Sequence, residues 1–232
     1  MSDHHKETFI TKYIFSMDHK MIAKQFLITG MIMAVLGMIM SAVFRVQLAN
    51  PGESSILYDL LPGSWVNEMG ALNPDKYLAL VTMHGTILVF WVLTAGLSGT
   101  FANFLIPLQI GARDMASGFL NMLSYWFFFI ATVVLVSSIY VQGGPASGGW
   151  TIYPPLSALP QAIPGSGTGM TLWLISITLF VVGSLLGGLN YIVTILNLRT
   201  KGMSMKRMPL TVWALLVTAI LGVLSFPVLL SC

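Results

Sequence analysis

The sequence predicts an all-α membrane protein with five transmembrane helices, and three observations support this. The chain of 232 residues is 56% hydrophobic and only 8% charged, where a soluble domain carries roughly 25% charged residues. Its mean hydropathy is +0.82. Five apolar runs, at about 26–44, 77–106, 119–141, 170–198 and 210–230, are separated by polar or Gly/Pro-rich links. A helix rises ~1.5 Å per residue and the hydrocarbon layer is ~30 Å thick, so runs of this length can cross it.

The predicted organisation is an N-terminal arm, 1–24, followed by a transmembrane helical domain, 25–232. The arm carries Asp3, His4, His5, Lys6, Glu7, Lys12, Asp18, His19, Lys20 and Lys24. It lacks the small-residue cleavage pattern of a signal peptide and is read as retained. Arg45 closes the first run, and a loop punctuated by Pro51-Gly52, Pro62-Gly63 and Pro74 follows. The second run, Tyr77 to Ile106, has no charged side chain and one imidazole, His84. After the third run, residues 142–169 form an uncharged Gly/Pro-rich loop, which is expected to pack against something. The basic link from Arg199 to Arg207 separates the fourth and fifth runs. Because the runs are apolar all round, periodicity does not sharpen their ends.

Lysine and arginine give the orientation. Lys6, Lys12, Lys20, Lys24, Arg113, Arg199, Lys201, Lys206 and Arg207 fall on one side, and only Arg45 and Lys76 on the other. The positive-inside rule then puts the N-terminus in the cytoplasm and His84 in the outer half of its helix. Five spans bring the sequence to Leu230-Ser231-Cys232 at the membrane surface, which predicts the front part of a longer protein. Cys232 is the single cysteine, so no disulfide or cysteine metal site forms within the chain.

Several side chains are candidates for chemistry. An intramembrane histidine is expensive to leave unpaired, so His84 is either an axial ligand to haem iron or a packed histidine donating to a neighbouring carbonyl. Gly85 beside it leaves room for a flat ligand. Arg45 is either a cofactor partner or a snorkelling residue at the membrane edge. Asp114, the carboxylate of the inner links, can collect protons or cap the third helix. Asn103, Asn121 (seven residues past Asp114, and on one face with it where that segment is already helical) and the stripe Asn190, Thr194, Asn197 can hold a file of waters or glue helices together. Trp150 and Tyr153 suit either an aromatic belt or a lid over a cofactor edge. The methionines read as packing.

Taken together, the strings Asp18-His19-Lys20, Phe44-Arg45 through Gly52, Met83-His84-Gly85-Thr86, Asn103 through Ala116, Gly149 through Leu156, and Asn197-Leu198-Arg199 resemble subunit I of the haem–copper oxidase superfamily, cytochrome c oxidase type. They occur in that family's order and intervals across nearly the whole chain.

The resemblance implies the first five spans of a bundle of about twelve, in a proton-pumping aa3-type oxidase that reduces oxygen to water. It makes His84 one axial ligand of a low-spin haem a, with Arg45 on a haem substituent and Trp150 near the propionates, and leaves Tyr153 as a candidate for the lid over the cofactor edge. Asp114 becomes the mouth of a proton path lined by Asn103, Asn121, Asn190 and Ser184. The high-spin haem a3 and copper B are implied for the complete subunit, with their ligands outside this chain. Implied partners are subunit II with copper A, subunit III, cytochrome c or a quinol as donor, a respiratory supercomplex and the lipid membrane, with no nucleic acid. The implied location is the bacterial inner membrane in preference to the mitochondrial one. A quinol oxidase and a haem-free channel are the alternatives. Three departures stand out: Ser117-Gly118-Phe119 and Met122 replace family residues after the acid; Gln47 replaces a carboxylate that often helps bind calcium or sodium; and Gly183 replaces the first of a serine pair.

Overall fold

A computed structural model describes residues 8–159, 161–162 and 167–231, without the side chain of Leu60. The first seven residues of the arm, part of the loop 142–169, and Cys232 lie outside the described residues.

Among the described residues, five helices are long and apolar enough to cross a membrane: α1 His19–Ala49, α2 Pro74–Ile110, α3 Gly118–Ser137, α4 Gly167–Asn197 and α5 Leu210–Ser231. The protein is an all-α, multi-pass membrane protein, in agreement with the sequence. Two features go beyond the apolar pattern. First, α1 begins at His19, inside the polar arm. Second, the middle of α2, Ile87–Leu97, is π-helical between α-helical turns. Thr94 Oγ1 donates to Val89 O, five residues back, at 2.8 Å and so follows the wider π repeat.

The described chain forms two compact units. The first comprises 1–29, 95–129 and 179–232. Its core joins Ala102, Ile106 and Ile110 of α2 to Met115, to Ile195 of α4, and to Val212 and Leu216 of α5. Small residues set the closest approaches. A Cβ on Gly99 would meet the Phe26 ring at 2.8 Å, and one on Gly183 would meet Ser124 O at 2.9 Å. The missing serine at 183 thus has a steric reason. α2 ends on Gly111 in the left-handed region, φ +73°, and Thr200 N donates to Ile110 O at 2.9 Å, docking the α4–α5 link there.

The second unit comprises 30–94 and 130–178. Met33, Met40, Val43, Leu80, Met83, Ile87, Trp91 and Leu135 are buried in it. Trp91 Nε1 donates to Thr132 Oγ1 at 2.9 Å and Trp173 Nε1 to Thr86 Oγ1 at 3.2 Å, so buried indoles tie three spans together. In the loop after α1, Gln47 Oε1 accepts from Tyr58 O–H at 2.8 Å and from Leu72 N at 3.2 Å. The neutral amide closes this loop, with its oxygen occupied by two donors. Burial raises the Tyr58 hydroxyl above the ordinary tyrosine range. The uncharged loop after α3 does pack: Lys76 Nζ donates to Gly143 O, and Gly149 N donates to Thr82 Oγ1 at 2.9 Å.

Candidate functional sites around His84 and Asp114

His84 stands in the last α-helical turn of α2 before the π-helical stretch. Its Nδ1 lies 2.8 Å from Gly37 O on α1. A carbonyl only accepts, so Nδ1 carries the proton and Nε2 keeps its lone pair. That tautomer is the one in which a ligating histidine is held by its surroundings. Phe44 packs edge-on against the imidazole at 5.4 Å and fixes the ring plane. Gly37, Ser41 and Arg45 fall four residues apart on α1 and so share one stripe. A glycine at 37 has a further cause, since a Cβ there would meet Leu88 Cδ2 at 3.0 Å. Beside His84, a Cβ on Gly85 would meet nothing within 4 Å, so the helix surface at Gly85 is open.

Arg45 is exposed, and its Nε donates to Ser41 Oγ at 3.2 Å. Trp150 is held by edge-on packing against Phe90 at 5.5 Å and by the neighbouring Gly149–Thr82 hydrogen bond. Tyr153 is 70% exposed. A cleft of 480 Å³ lies between this loop and the start of α2, lined by Lys76, Val81, Thr82, Gly149 and Leu156. His84 is not in its lining, because positions 82 and 84 point to nearly opposite sides of a helix.

The Asp114 site belongs to the other unit. Asp114 Oδ1 accepts from Met115 N at 2.7 Å and lies 3.1 Å from His19 Nδ1. Asp18 Oδ1 is 3.5 Å from the same nitrogen. These three side chains offer ligand atoms within 4.8 Å of one another, a donor set able to hold a metal ion. His19 is 3% exposed. Within the string Asp18-His19-Lys20 nothing local distinguishes His19, and its burial arises only in the fold.

Two of the predicted asparagines behave alike and one does not. Asn121 is fully buried and neither amide atom has a protein partner. Asn103, also fully buried, donates from Nδ2 to Gly99 O at 2.7 Å and to Tyr191 Oη at 3.0 Å, while its Oδ1 is unpartnered. Buried polar atoms without partners are the places where proteins hold water. Asn190 is instead saturated by one backbone unit: Ser117 N donates to its Oδ1 at 3.0 Å and its Nδ2 donates to Ser117 O at 3.1 Å. Thr194 Oγ1 accepts from Ala116 N at 2.9 Å beside it. This half of the asparagine and threonine pattern straps the α2–α3 link to α4. Ser184 is half-buried on α4.

Two expectations about Asp114 are corrected. α3 begins at Gly118, so Asp114 and Asn121 do not share a helical face. Nor does Asp114 cap that helix: Ser117 Oγ accepts from Leu120 N at 3.2 Å and does so instead.

Comparison with known proteins agrees with this architecture. Residues 21–231 match the family described as cytochrome c and quinol oxidase polypeptide I. The chain is 41% identical over 226 residues to the alternative cytochrome c oxidase subunit 1 of Bradyrhizobium diazoefficiens, covering 97% of this chain and 36% of that protein. It is 39% identical over 222 residues to cytochrome c oxidase subunit 1 of Candida albicans, covering 96% of this chain and 38% of the relative. With cytochrome c oxidase subunit 1 of Synechocystis sp. the identity is 37% over 232 residues, covering 99% of this chain and 37% of the relative. The chain spans little more than a third of the length of these relatives. A match running the length of five spans, His84 and Asp114 included, establishes that the chain belongs to the cytochrome c and quinol oxidase polypeptide I family, the terminal oxidases of electron transport.

Proposed function

We propose that this chain is part of the catalytic subunit of a proton-pumping, aa3-type cytochrome c oxidase, and that it supplies one axial ligand of a low-spin haem a. The observation that carries the reading is the imidazole of His84, locked by Gly37 O at 2.8 Å with open space beside Gly85. These residues fit a haem: the orientation leaves Nε2 for iron, and the glycine leaves room for the edge of a flat macrocycle.

A haem bound here supplies reversible one-electron transfer. His84 holds its iron, and the Gly37 carbonyl raises the basicity of the ligand through the shared proton. Arg45 presents a guanidinium from the same α1 stripe to a polar haem substituent, and Trp150 and Tyr153 present indole N–H and phenol O–H toward the propionates. Asp114 takes protons from the cytoplasm, with His19 Nδ1 and Met115 N holding its carboxylate. Asn121 and Asn103, with their unpartnered amide atoms, hold waters along which the proton moves. Ser184 continues that lining, while Asn190 fixes the link behind Asp114 and so shapes the path without lying in it. Moving one charge fully across the membrane costs ~2.3 kcal/mol per 100 mV, which is the work such a pump performs.

The names of the relatives support cytochrome c over quinol as donor. Haem a3, copper B, subunit II with copper A, subunit III and a respiratory supercomplex complete the proposed assembly in the bacterial cytoplasmic membrane, N-terminus inside. The test is a reduced-minus-oxidised spectrum of the assembled complex, with and without His84→Ala. An a-type band that disappears in the variant supports the reading, and a complex without any haem overturns it in favour of a haem-free channel.

A further inference from the structure

The N-terminal segment before α1 presents an apolar surface that the rest of the described chain leaves uncovered. Residues Ile10–Ile14 form a single π-helical turn, and its backbone is closed on itself, with Lys12 N donating to Thr8 O at 3.0 Å and Phe15 N to Ile10 O at 2.9 Å. The turn is fixed in place. Gln25 Nε2 donates to both Tyr13 O and Ile14 O at 2.9 Å, Phe15 packs on Trp126 at 4.9 Å, and a Cβ on Gly118 would meet Met17 O at 3.0 Å. Held this way, Phe9, Ile10, Tyr13, Phe15 and Met17 are 70%, 54%, 42%, 49% and 57% exposed.

We propose that residues 8–17 are a membrane-surface anchor that binds anionic phospholipid headgroups of the leaflet on the N-terminal side, with Phe9, Ile10 and Tyr13 set into the headgroup–acyl boundary. Two observations select lipid. Among the described residues 8–24, the apolar side chains are interspersed with exposed lysines, Lys12, Lys20 and Lys24, against the single acid Asp18, which is the charge pattern of a segment lying on an anionic surface. The self-satisfied backbone of the turn is what a medium poor in hydrogen bonds requires. The proposal rests on the membrane spans alone and is independent of whether His84 binds haem.

The experiment places a nitroxide at position 10 by Ile10→Cys in a Cys232→Ser background of the full assembled complex, with Lys201→Cys as an aqueous reference. The complex is reconstituted in phosphatidylcholine vesicles with and without phosphatidylglycerol. The expected result is a several-fold higher ratio of oxygen to water-soluble nickel-chelate collisions at position 10 than at position 201, falling when phosphatidylglycerol is omitted or when Lys12→Glu is added. A label at position 10 as accessible to the chelate as that at 201 overturns the proposal. A label shielded from both reagents also overturns it, since another polypeptide then covers the segment. A high ratio indifferent to phosphatidylglycerol and to Lys12→Glu overturns the headgroup binding. An unchanged size-exclusion profile in each variant shows that the complex has assembled.

Discussion

Replacing Asn121 by leucine separates a hydrated path from a dry helix contact. Asn121 is fully buried with both amide atoms unpartnered. If no water reaches it, each orphaned group costs about 1–3 kcal/mol, so about 2–6 kcal/mol for the pair is recovered when an apolar side chain of similar size takes its place. If waters satisfy the amide, Asn121→Leu exchanges hydrated polar contacts for apolar burial, and the net change stays within about 1 kcal/mol. The proton path is then cut at that point. Asn190→Leu is the internal comparison. It strips the partners from Ser117 N and O, now at 3.0 and 3.1 Å, and costs about 1–3 kcal/mol by exposing unpaired backbone groups. Thermal midpoints of the detergent-solubilised complex give the stabilities, and proton uptake during turnover gives the function. The account expects Asn121→Leu to leave stability nearly unchanged while uptake falls by at least tenfold, equivalent to roughly 1.4 kcal/mol of barrier. An Asn121→Leu complex stabilised by several kcal/mol with normal uptake would refute the water file.

Asp114→Asn is expected to slow turnover and proton uptake with the haem spectrum intact; normal pumping in that variant removes Asp114 from the mechanism. Gly183→Ser places a Cβ 2.9 Å from Ser124 O and 3.1 Å from Phe127 Cβ, and overpacking of this kind costs about 1–3 kcal/mol, read as a lowered thermal midpoint. The Tyr58 hydroxyl is raised above its ordinary value of 10.0 by burial. Its contribution to the loop is therefore fully present below about pH 10 and is lost as pH rises through the higher folded value. The phenolate absorbance that disappears in Tyr58→Phe should accordingly rise only above pH 10.

The five spans were legible because uninterrupted apolar length carries its own physical meaning in a bilayer. The same uniformity hid the π-helical Ile87–Leu97, since a stretch apolar on every side looks alike at any helical repeat. His84 stood out as a lone imidazole, but its tautomer depends on Gly37 O, 47 residues away, and no local pattern encodes that contact. The polar stripe on α4 was visible as spacing, yet spacing could not assign Asn190 to backbone strapping and Asn121 to open amide atoms. The seven-residue interval from Asp114 to Asn121 misled because it assumed a helix that begins only at Gly118. Gly183 read as a departure from a family pattern until the carbonyl of Ser124 supplied the reason.

The most direct measurement is high-resolution density of the assembled complex around His84. The account predicts iron at bonding distance from Nε2, a macrocycle passing over Gly85, and Nδ1 still donating to Gly37 O. Lipid or protein side chains filling that space, with no iron beside the imidazole, would contradict it.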